Sequence, residues 1–194
     1  GELPQVQTYA DIHEQLRKTM DHAHLEGRLK EEIVADPDTF VVLDEEAALA
    51  LLDQKRAGKK LRVITNSGFH YTQAMMSYAY DRFLPGDMTW RDLFDLIIVD
   101  ARKPAFFLGD NSAFEVIDEE GRLIPSYTGM ELNKIYLGGT SKQVEAALDV
   151  PGEAILFVGD HLYSDVNVSK QVSRWRTALV VRELEAELEA TRAF

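Results

Sequence analysis

Short, continuous runs of apolar residues alternate along this chain with stretches of helical character. Four such runs are Leu61 to Ile64, Leu96 to Val99, Ile155 to Val158 and Thr177 to Val181. An apolar run without polar alternation is typical of a strand that is buried on both faces. The alternation of such strands with helices predicts an α/β fold with a mainly parallel sheet.

Helices and one hairpin are expected between these runs. An apolar stripe at helical spacing covers residues 9–34 and is interrupted at Gly27, and the loop Asp36-Pro37-Asp38 follows it. Residues 40–43 form a short extended run, and Asp44 has the side chain of a helix N-cap. Phe114 to Ile124, with a turn at Glu120-Gly121, predicts a β-hairpin excursion. Further helices are expected over residues 45–56, from Ser67 to about 82, and over 141–148 and 183–192.

Composition limits the function classes. The chain has 194 residues, of which 45% are hydrophobic, and its formal net charge is −12. A nucleic-acid partner needs a basic footprint, so the charge argues against one, although a small phosphorylated substrate remains compatible. The sequence has no cysteine, no signal-peptide pattern and no apolar run that could cross a membrane. We therefore expect a cytoplasmic protein.

Polar residues follow three of the predicted strands. In parallel α/β sheets, ligands bind at the carboxyl ends of the strands. Thr65-Asn66-Ser67 follows the first run and offers hydroxyls, an amide and the N–H groups of a helix start, which together suit a phosphate. Lys103, a few residues after the second run, could neutralise a phosphoryl group. Alternative roles are an ordinary helix cap for the first segment and a solvated surface lysine for the second.

Two acidic residues follow the third run. Asp160 comes directly after Gly159, and Asp165 lies five residues further along. Carboxylate oxygens together with water and phosphate oxygens are the ligands that Mg²⁺ prefers. The alternative is that Asp160 caps a helix and that Asp165 is a solvated acid near the positive end of the helix dipole.

The order of these residue types resembles the second, third and fourth motifs of the haloacid dehalogenase (HAD) superfamily. Longer segments are similar to the cytosolic purine 5′-nucleotidase family, namely "MDHAHLEGRLKE", "VITNSGFHYT", "FDLIIVDARKPAFF", "IYLGGTS", "ILFVGDHLYSDV" and "WRTALVVREL". The resemblance implies a HAD-like, three-layer Rossmannoid core over residues 39–194. Residues 1–38 would then be a helical segment from the end of a cap region.

The resemblance also implies an activity and the residues that carry it. The activity is Mg²⁺-dependent hydrolysis of purine nucleoside 5′-monophosphates through an aspartyl-phosphate. Thr65, with Asn66 and Ser67 beside it, would bind the phosphoryl group, and Lys103 would stabilise its charge. Asp160 would ligate Mg²⁺, and Asp165 would order the water shell of the metal. Residues of the upstream helix would face the nucleotide, and in this chain they are Arg17, Asp21 and Lys30.

The chain departs from the superfamily at the first motif. That motif, Asp-x-Asp, supplies the nucleophile and lies on a central strand between the strand that ends at Thr65 and the strand that ends at Gly159. It is expected upstream of Gly1, which would make these residues a C-terminal part with an incomplete sheet. A missing N-terminal segment or another chain, including a second copy in a homo-oligomer, would have to fill the gap. We expect this chain alone to be inactive.

A rival for the first motif is Asp36-Pro37-Asp38-Thr39. Only Ile33-Val34-Ala35 precedes it as an apolar stretch, and Pro37 fixes the backbone at its middle residue. Both features argue against this rival. Two other functions stay open, a catalytically silent HAD-like protein that binds nucleotides or regulates partners, and a HAD phosphatase of another small phosphorylated metabolite.

Overall fold

The computed structural model describes residues 8–25 and 28–193, apart from the side chains of residues 21–25. The helices there are α1 (Tyr9–Leu25), α2 (Arg28–Ala35), α3 (Pro37–Phe40), α4 (Glu45–Arg56), α5 (Phe69–Tyr80), α6 (Trp90–Leu93), α7 (Ala105–Leu108), α8 (Ser141–Leu148), α9 (Val168–Val172) and α10 (Glu185–Ala193). The strands are β1 (Arg62–Ile64), β2 (Leu96–Val99), β3 (Ala113–Val116), β4 (Leu123–Pro125), β5 (Lys134–Gly138), β6 (Leu156–Gly159) and β7 (Arg176–Leu179).

The strands form two sheets. Five of them make one sheet in the order β1-β2-β5-β3-β4, and β6 and β7 make a second, two-stranded sheet. The β1, β2 and β5 strands are parallel, with Val63 opposite Ile97 and Ile97 opposite Ile135. The β3–β4 hairpin is antiparallel and joins the sheet through β5, whereas β6 and β7 are parallel to each other. The architecture is therefore α/β with a mostly parallel central sheet.

Strand β2 shows why the sheet is covered on both faces. All four of its residues are buried, and successive side chains point to opposite faces of a sheet. Leu96 and Ile98 belong to a core that contains Phe106, Tyr136 and Trp175. The alternate residues of the strand belong to a second core on the other face, which contains Trp90, Leu93 and Phe94. Helices thus pack on both faces, and the strand has no polar face to show to water.

An aromatic cluster attaches the two-stranded sheet to the rest of the molecule. Phe107 lies 5.6 Å from Phe157 and 5.5 Å from Trp175, measured between ring centroids and with edge-to-face geometry. The indole N–H of Trp175 donates to Glu145 of α8 at 2.7 Å, so this polar atom is satisfied although the residue is buried. Strand β6, which precedes Asp160, is therefore held close to the helix that follows Lys103.

The sequence analysis predicted most of these elements. The four apolar runs are strands, the hairpin is present, and the carboxylate of Asp44 caps α4 by accepting from the N–H of Ala47 at 3.2 Å. The analysis did not identify β5, the strand between β2 and the hairpin. Its apolar run, Ile135-Tyr136-Leu137, is only three residues long and is followed by Gly138. A run this short beside a glycine resembles a loop in the sequence.

Two expectations for residues 36–43 were wrong. Pro37 begins a short helix, α3, instead of continuing a loop, because proline at the first helical position has a suitable φ and needs no N–H partner. Residues 41–44 do not form a strand. The rival motif Asp36-Pro37-Asp38 therefore follows helix α2 and lies in α3, without the preceding strand that the first motif of the superfamily requires.

A cavity separates the two sheets. Among the strands in the described part of the chain, β1 pairs only with β2, and β6 pairs only with β7. Residues of β1 and β6, including Val63 and Val158, line a cavity of about 370 Å³ together with Trp175. We call this cavity the inter-sheet slot. Separately, none of the helices in the described ranges is both long enough and apolar enough to cross a membrane.

Candidate functional site

The loop after β1 is the first part of the candidate site. The N–H of Thr65 donates to the carbonyl of Ile98 at 2.9 Å, which extends the pairing of β1 with β2. The N–H of Ser67 donates to Thr65 Oγ1 at 3.0 Å, so the threonine hydroxyl stabilises the turn. Gly68 is the N-cap of α5 and supplies no side-chain cap, and no described group accepts a hydrogen bond from the N–H of Phe69. The start of this twelve-residue helix thus has N–H groups available for an anion.

The loop after β2 is fastened to this first loop. The side chain of Asn66 accepts from the N–H of Lys103 at 2.6 Å and donates to its carbonyl at 3.1 Å. The N–H groups of Asp100 and Ala101 donate to the carbonyls of Ser67 and Thr65, each at 2.9 Å. Asn66 therefore fixes the position of the loop after β1 relative to the loop after β2. This structural role does not require contact with a substrate.

Lys103 is a largely buried lysine. Its side chain is only 12% exposed, and Nζ lies 2.8 Å from Asp165 Oδ1. Nζ also lies 5.2 Å from the ring centroid of Phe157 in β6. The alternative of a solvated surface lysine is therefore wrong. The ion pair connects the loop after β2 with the segment after β6, two parts of the chain that are about sixty residues apart.

Asp165 and Asp160 have different environments. Asp165 is buried, lies in a π-helical segment (Leu162–Asn167), and accepts from the N–H of His161 at 3.3 Å through Oδ2. Its Oδ1 contacts Lys103 as an ion pair, without the alignment of a hydrogen bond. Asp160 is exposed and has no hydrogen bond or ion pair with any described residue. The alternatives of a capping Asp160 and a solvated Asp165 do not match the structure, since His161 is the residue that caps the segment.

Gly159 is needed for the approach of Asp165 to the strand. A Cβ built on Gly159 would lie 2.6 Å from the Cβ of Asp165, which is far below van der Waals contact. The glycine at the end of β6 therefore leaves room for the acid that pairs with Lys103. This contact explains the Gly-Asp pattern of the sequence without a ligand.

Donors for Mg²⁺ are only partly assembled. No group of three or more His, Cys, Asp or Glu side chains in the described ranges could hold a metal ion. Asp160 offers an exposed carboxylate at the end of a strand, which fits the oxygen preference of Mg²⁺. The carboxylate of Asp165 is occupied by Lys103. The residues present therefore fit a Mg²⁺ site whose remaining ligands are water, substrate oxygens or groups outside these residues.

The three helical residues expected to face a nucleotide divide into two sets. Arg17 lies on α1 and is exposed, and the side chain of Asp21 lies outside the described residues. Lys30 lies on α2, is partly buried, and has its Nζ 5.1 Å from the ring centroid of Tyr71 on α5. The structure thus brings Lys30, but not Arg17, to the region of the phosphate loop.

A second cavity, also of about 370 Å³, lies beside that loop. Gly68, Phe69, His70 and Tyr71 at the start of α5 form one side of it. The other lining residues are Lys30, Asp100, Val116, Gly121, Leu123 and Leu137. We call it the α5–hairpin cavity. Asp100 comes directly after the apolar run Leu96 to Val99, in the segment from Asp100 to Lys103 that the sequence indicates as a strand end, but no role was predicted for it.

The tip of the hairpin is held against α5 by one arginine. Arg91 donates to both carboxylate oxygens of Glu119 at 2.7 and 2.8 Å, and to the side-chain oxygen of Gln73 at 3.0 and 2.7 Å. The hydrogen bonds from Arg91 to Glu119, together with the charge of Arg91, lower the pKa of Glu119. The hairpin forms one wall of the α5–hairpin cavity. The position of this wall therefore depends on the hydrogen bonds of Arg91.

Comparison with known proteins gives the family. The family model described as "5' nucleotidase family" matches residues 3–193. The chain is 33% identical over 188 residues to a 5′-nucleotidase domain-containing protein 2 of Rattus norvegicus, with 96% of this chain and 32% of that protein covered. The Homo sapiens protein of the same name is 32% identical over 188 residues, with 96% and 34% covered.

A third relative is a 5′-nucleotidase domain-containing protein of Dictyostelium discoideum. It is 32% identical over 183 residues, with 91% of this chain and 30% of that protein covered. The chain therefore spans about one third of the length of these curated relatives. Because the family model covers nearly every residue, the chain belongs to the 5′-nucleotidase family.

Proposed function

We propose that this chain is part of a phosphoric monoester hydrolase that acts on purine nucleoside 5′-monophosphates. The observation that carries the proposal is the meeting of three strand ends, in which Asn66 joins two loops and the Lys103–Asp165 ion pair joins the third. Family membership supports hydrolysis of a 5′-nucleotide as the reaction class. The HAD-like mechanism and the preference for purines rest on the sequence resemblance.

Residues of this chain would bind the phosphoryl group. Thr65 and the free N–H groups at the start of α5 would donate to phosphoryl oxygens. Lys103 would add a positive charge, and Asp165 would hold its ammonium group in position. Asp160 would hold Mg²⁺, which supplies further positive charge for the phosphoryl oxygens when it is bound.

The acceptor of the phosphoryl group would come from outside these residues. No histidine or carboxylate among the described residues forms a hydrogen bond with Thr65 Oγ1 and could act as its base, and Oγ1 accepts from the N–H of Ser67. Lys103 is paired with Asp165. We propose that an aspartate on a further strand attacks phosphorus, and that water then cleaves the aspartyl-phosphate.

We further propose that this strand occupies the inter-sheet slot. The two walls of the slot are strands with one unpaired edge each, and unpaired backbone N–H and C=O groups are rarely left without partners. The walls also expose apolar side chains, with Leu156 59% and Val158 55% exposed. A strand of the same polypeptide would cover them, because the relatives are about three times as long as this chain. A second copy of the chain is the other possible source.

Hydrolysis of nucleotides tests the proposed function. The full-length protein should release phosphate from adenosine and guanosine 5′-monophosphate when Mg²⁺ is present, whereas the 194-residue chain should not. Lys103→Ala should lower kcat of the full-length protein by about 10²–10³-fold, the usual effect of removing one group that stabilises a transition-state charge.

Three outcomes would contradict parts of the proposal. If the folded full-length protein releases no phosphate, it is a silent relative and not a hydrolase. If it prefers non-nucleotide phosphate monoesters, the substrate class is wrong. If the isolated chain has turnover that Asp36→Asn/Asp38→Asn abolishes, the nucleophile lies in α3 after all.

A further inference from the structure

The α5–hairpin cavity contains a carboxylate that the proposed mechanism does not use. Asp100 lines the cavity and is partly buried. Its backbone N–H donates to the carbonyl of Ser67, so the residue lies directly beside the phosphate loop. Its carboxylate has no hydrogen bond or ion pair with the described residues, and Lys103, the nearest lysine in sequence, is taken by Asp165. A partly buried carboxylate without a donor is available to accept hydrogen bonds from a ligand.

The backbone around Asp100 is also unusual. Asp100 has a φ of 45° and Arg102 a φ of 58°, both in the left-handed region that side chains other than Asn, Asp and Gly rarely adopt. Gly68 faces the carboxylate, and a Cβ at this glycine would lie 3.4 Å from Asp100 Oδ2. The carboxylate is thus bordered by the first turn of α5 and opens to the cavity.

The charge of Asp100 selects the kind of group that it can bind. A carboxylate repels a phosphate, so the phosphoryl group belongs at the Thr65 loop and not at Asp100. An ionised carboxylate only accepts hydrogen bonds, and its two oxygens suit a ligand with two neighbouring O–H donors. In a nucleoside 5′-monophosphate, the sugar with its 2′- and 3′-hydroxyls follows the phosphate directly. Acidic side chains hold ribose hydroxyls in this way in other nucleotide sites.

We propose that Asp100 accepts hydrogen bonds from the sugar hydroxyls of the nucleotide, and that the nucleoside part of the substrate occupies the α5–hairpin cavity. This inference rests on the proposed function for the position of the phosphate. His70 and Tyr71 provide aromatic surface on one side of the cavity, and Lys30 lies over Tyr71. The site therefore distinguishes ribonucleotides from deoxyribonucleotides through one carboxylate.

Two variants of Asp100 are suited to the test. Asp100→Asn keeps the size of the side chain and tolerates a positive φ, and Asp100→Gly removes the carboxylate at a φ that glycine adopts freely. Asp110→Asn is the matched control, because Asp110 is an exposed aspartate in the loop after α7 that has no described partner and does not line the cavity. All variants are made in the full-length protein.

The substrates are adenosine 5′-monophosphate, its 2′-deoxy and 3′-deoxy analogues, and p-nitrophenyl phosphate, which has no sugar. In the unmodified protein, kcat/KM should be about tenfold or more higher for the ribonucleotide than for the deoxy analogue, the value of one hydrogen bond to a charged group. In Asp100→Gly, kcat/KM for the ribonucleotide should fall to the level of the deoxynucleotide, whereas Asp100→Asn, which keeps one neutral acceptor oxygen, should lose only part of the preference. Hydrolysis of p-nitrophenyl phosphate should change by less than about twofold, and Asp110→Asn should behave as the unmodified protein.

Equilibrium binding separates the failure of this inference from the failure of the proposed function. Isothermal titration with the same nucleotides requires no turnover. If the protein binds and Asp100 discriminates the sugars but no phosphate is released, the inference stands and the hydrolase proposal fails. If nucleotides are hydrolysed but the variants lose activity equally on p-nitrophenyl phosphate, or keep the full discrimination, Asp100 does not bind the sugar. If the folded protein neither binds nor hydrolyses nucleotides, both proposals are overturned.

Discussion

Lys103 and Asp165 form an ion pair whose side chains have little contact with solvent. Their side chains are 12% and 4% exposed, and they are 2.8 Å apart. Each charge has lost most of its hydration, so each depends on the other, and removal of one partner leaves a buried charge without compensation. Asp160 is only five residues away but lies in water without a described partner. Asp165 therefore matters for the stability of the fold, whereas Asp160 is available for the proposed chemistry.

The substitutions Asp165→Asn and Asp160→Asn should separate these consequences. Asp165→Asn should lower the free energy of unfolding by about 3–5 kcal/mol, because Lys103 remains charged and buried. Asp160→Asn should change it by no more than about 0.5 kcal/mol, as is usual at an exposed position. Denaturant unfolding measures both. In the full-length protein, Asp160→Asn should abolish Mg²⁺-dependent turnover, and undiminished activity at limiting Mg²⁺ would remove Asp160 from the metal site.

Polar side-chain contacts connect the loops around the site to each other and the tip of the hairpin to α5. Asn66 fastens the loop after β1 to the loop after β2 with two hydrogen bonds. Arg91 fastens the β3–β4 hairpin to α5 through Glu119 and Gln73. Strand β4 is exposed along its whole length, so it contributes little buried apolar surface of its own. The position of the hairpin, and with it one wall of the α5–hairpin cavity, is therefore sensitive to charge.

The hairpin contact should depend on pH. Arg91 lowers the pKa of Glu119 in the folded protein. A carboxyl group with a lowered folded pKa contributes stability above its ordinary pKa of about 4.3, and this contribution is lost as the pH falls through the lowered value. Arg91→Leu should raise the pKa of Glu119, because it removes the hydrogen bonds and the positive charge that lower this pKa, and an NMR titration of the carboxyl carbon measures the change. An unchanged pKa in that variant would mean that Arg91 does not hold the hairpin in solution.

The inter-sheet slot lies between the facing edges of strands β1 and β6. Val63 of β1 and Val158 of β6 line the same cavity, and no strand within the described ranges pairs with either strand on that side. Burial lowers the pKa of Arg62 in the same wall, and its Nε is buried without a hydrogen-bond partner. A further strand would cover the apolar side chains and the unsatisfied polar atom at these two strand edges. The proposed nucleophile would then enter the site with the strand that completes the sheet.

A charged substitution in the inter-sheet slot should lower the free energy of unfolding by different amounts in the isolated chain and in the full-length protein. Val158→Lys should change the stability of the isolated chain by no more than about 0.5 kcal/mol, because Val158 is 55% exposed there. In the full-length protein it should cost about 3 kcal/mol or more, because a charge would be buried under the added strand. Val172→Lys on α9, which is 48% exposed and outside the slot, is the control. Equal small costs in both forms would show that the slot stays open.

The amino-acid sequence alone predicted most of the elements and suggested candidate residues for the site. Local patterns carry this information, because the apolar runs, the N-cap Asp44 and the hairpin turn at Gly121 depend on near neighbours. The order of Thr65, Lys103 and Asp160 along the chain predicted a site at three strand ends. It did not predict β5, whose short apolar run is recognisable only from its place between β2 and β3.

Only the tertiary structure decided which side chains meet and in what environment. Lys103 is buried against Asp165, although sequence composition favours a solvated lysine, because packing of β6 on the Phe107–Trp175 cluster brings the two segments together. Asp100 has a proposed role because its carboxylate lies beside a cavity and accepts no hydrogen bond from the residues that the structure describes. Burial, pairing and cavities arise from contacts between residues far apart in the chain, and no local pattern encodes them.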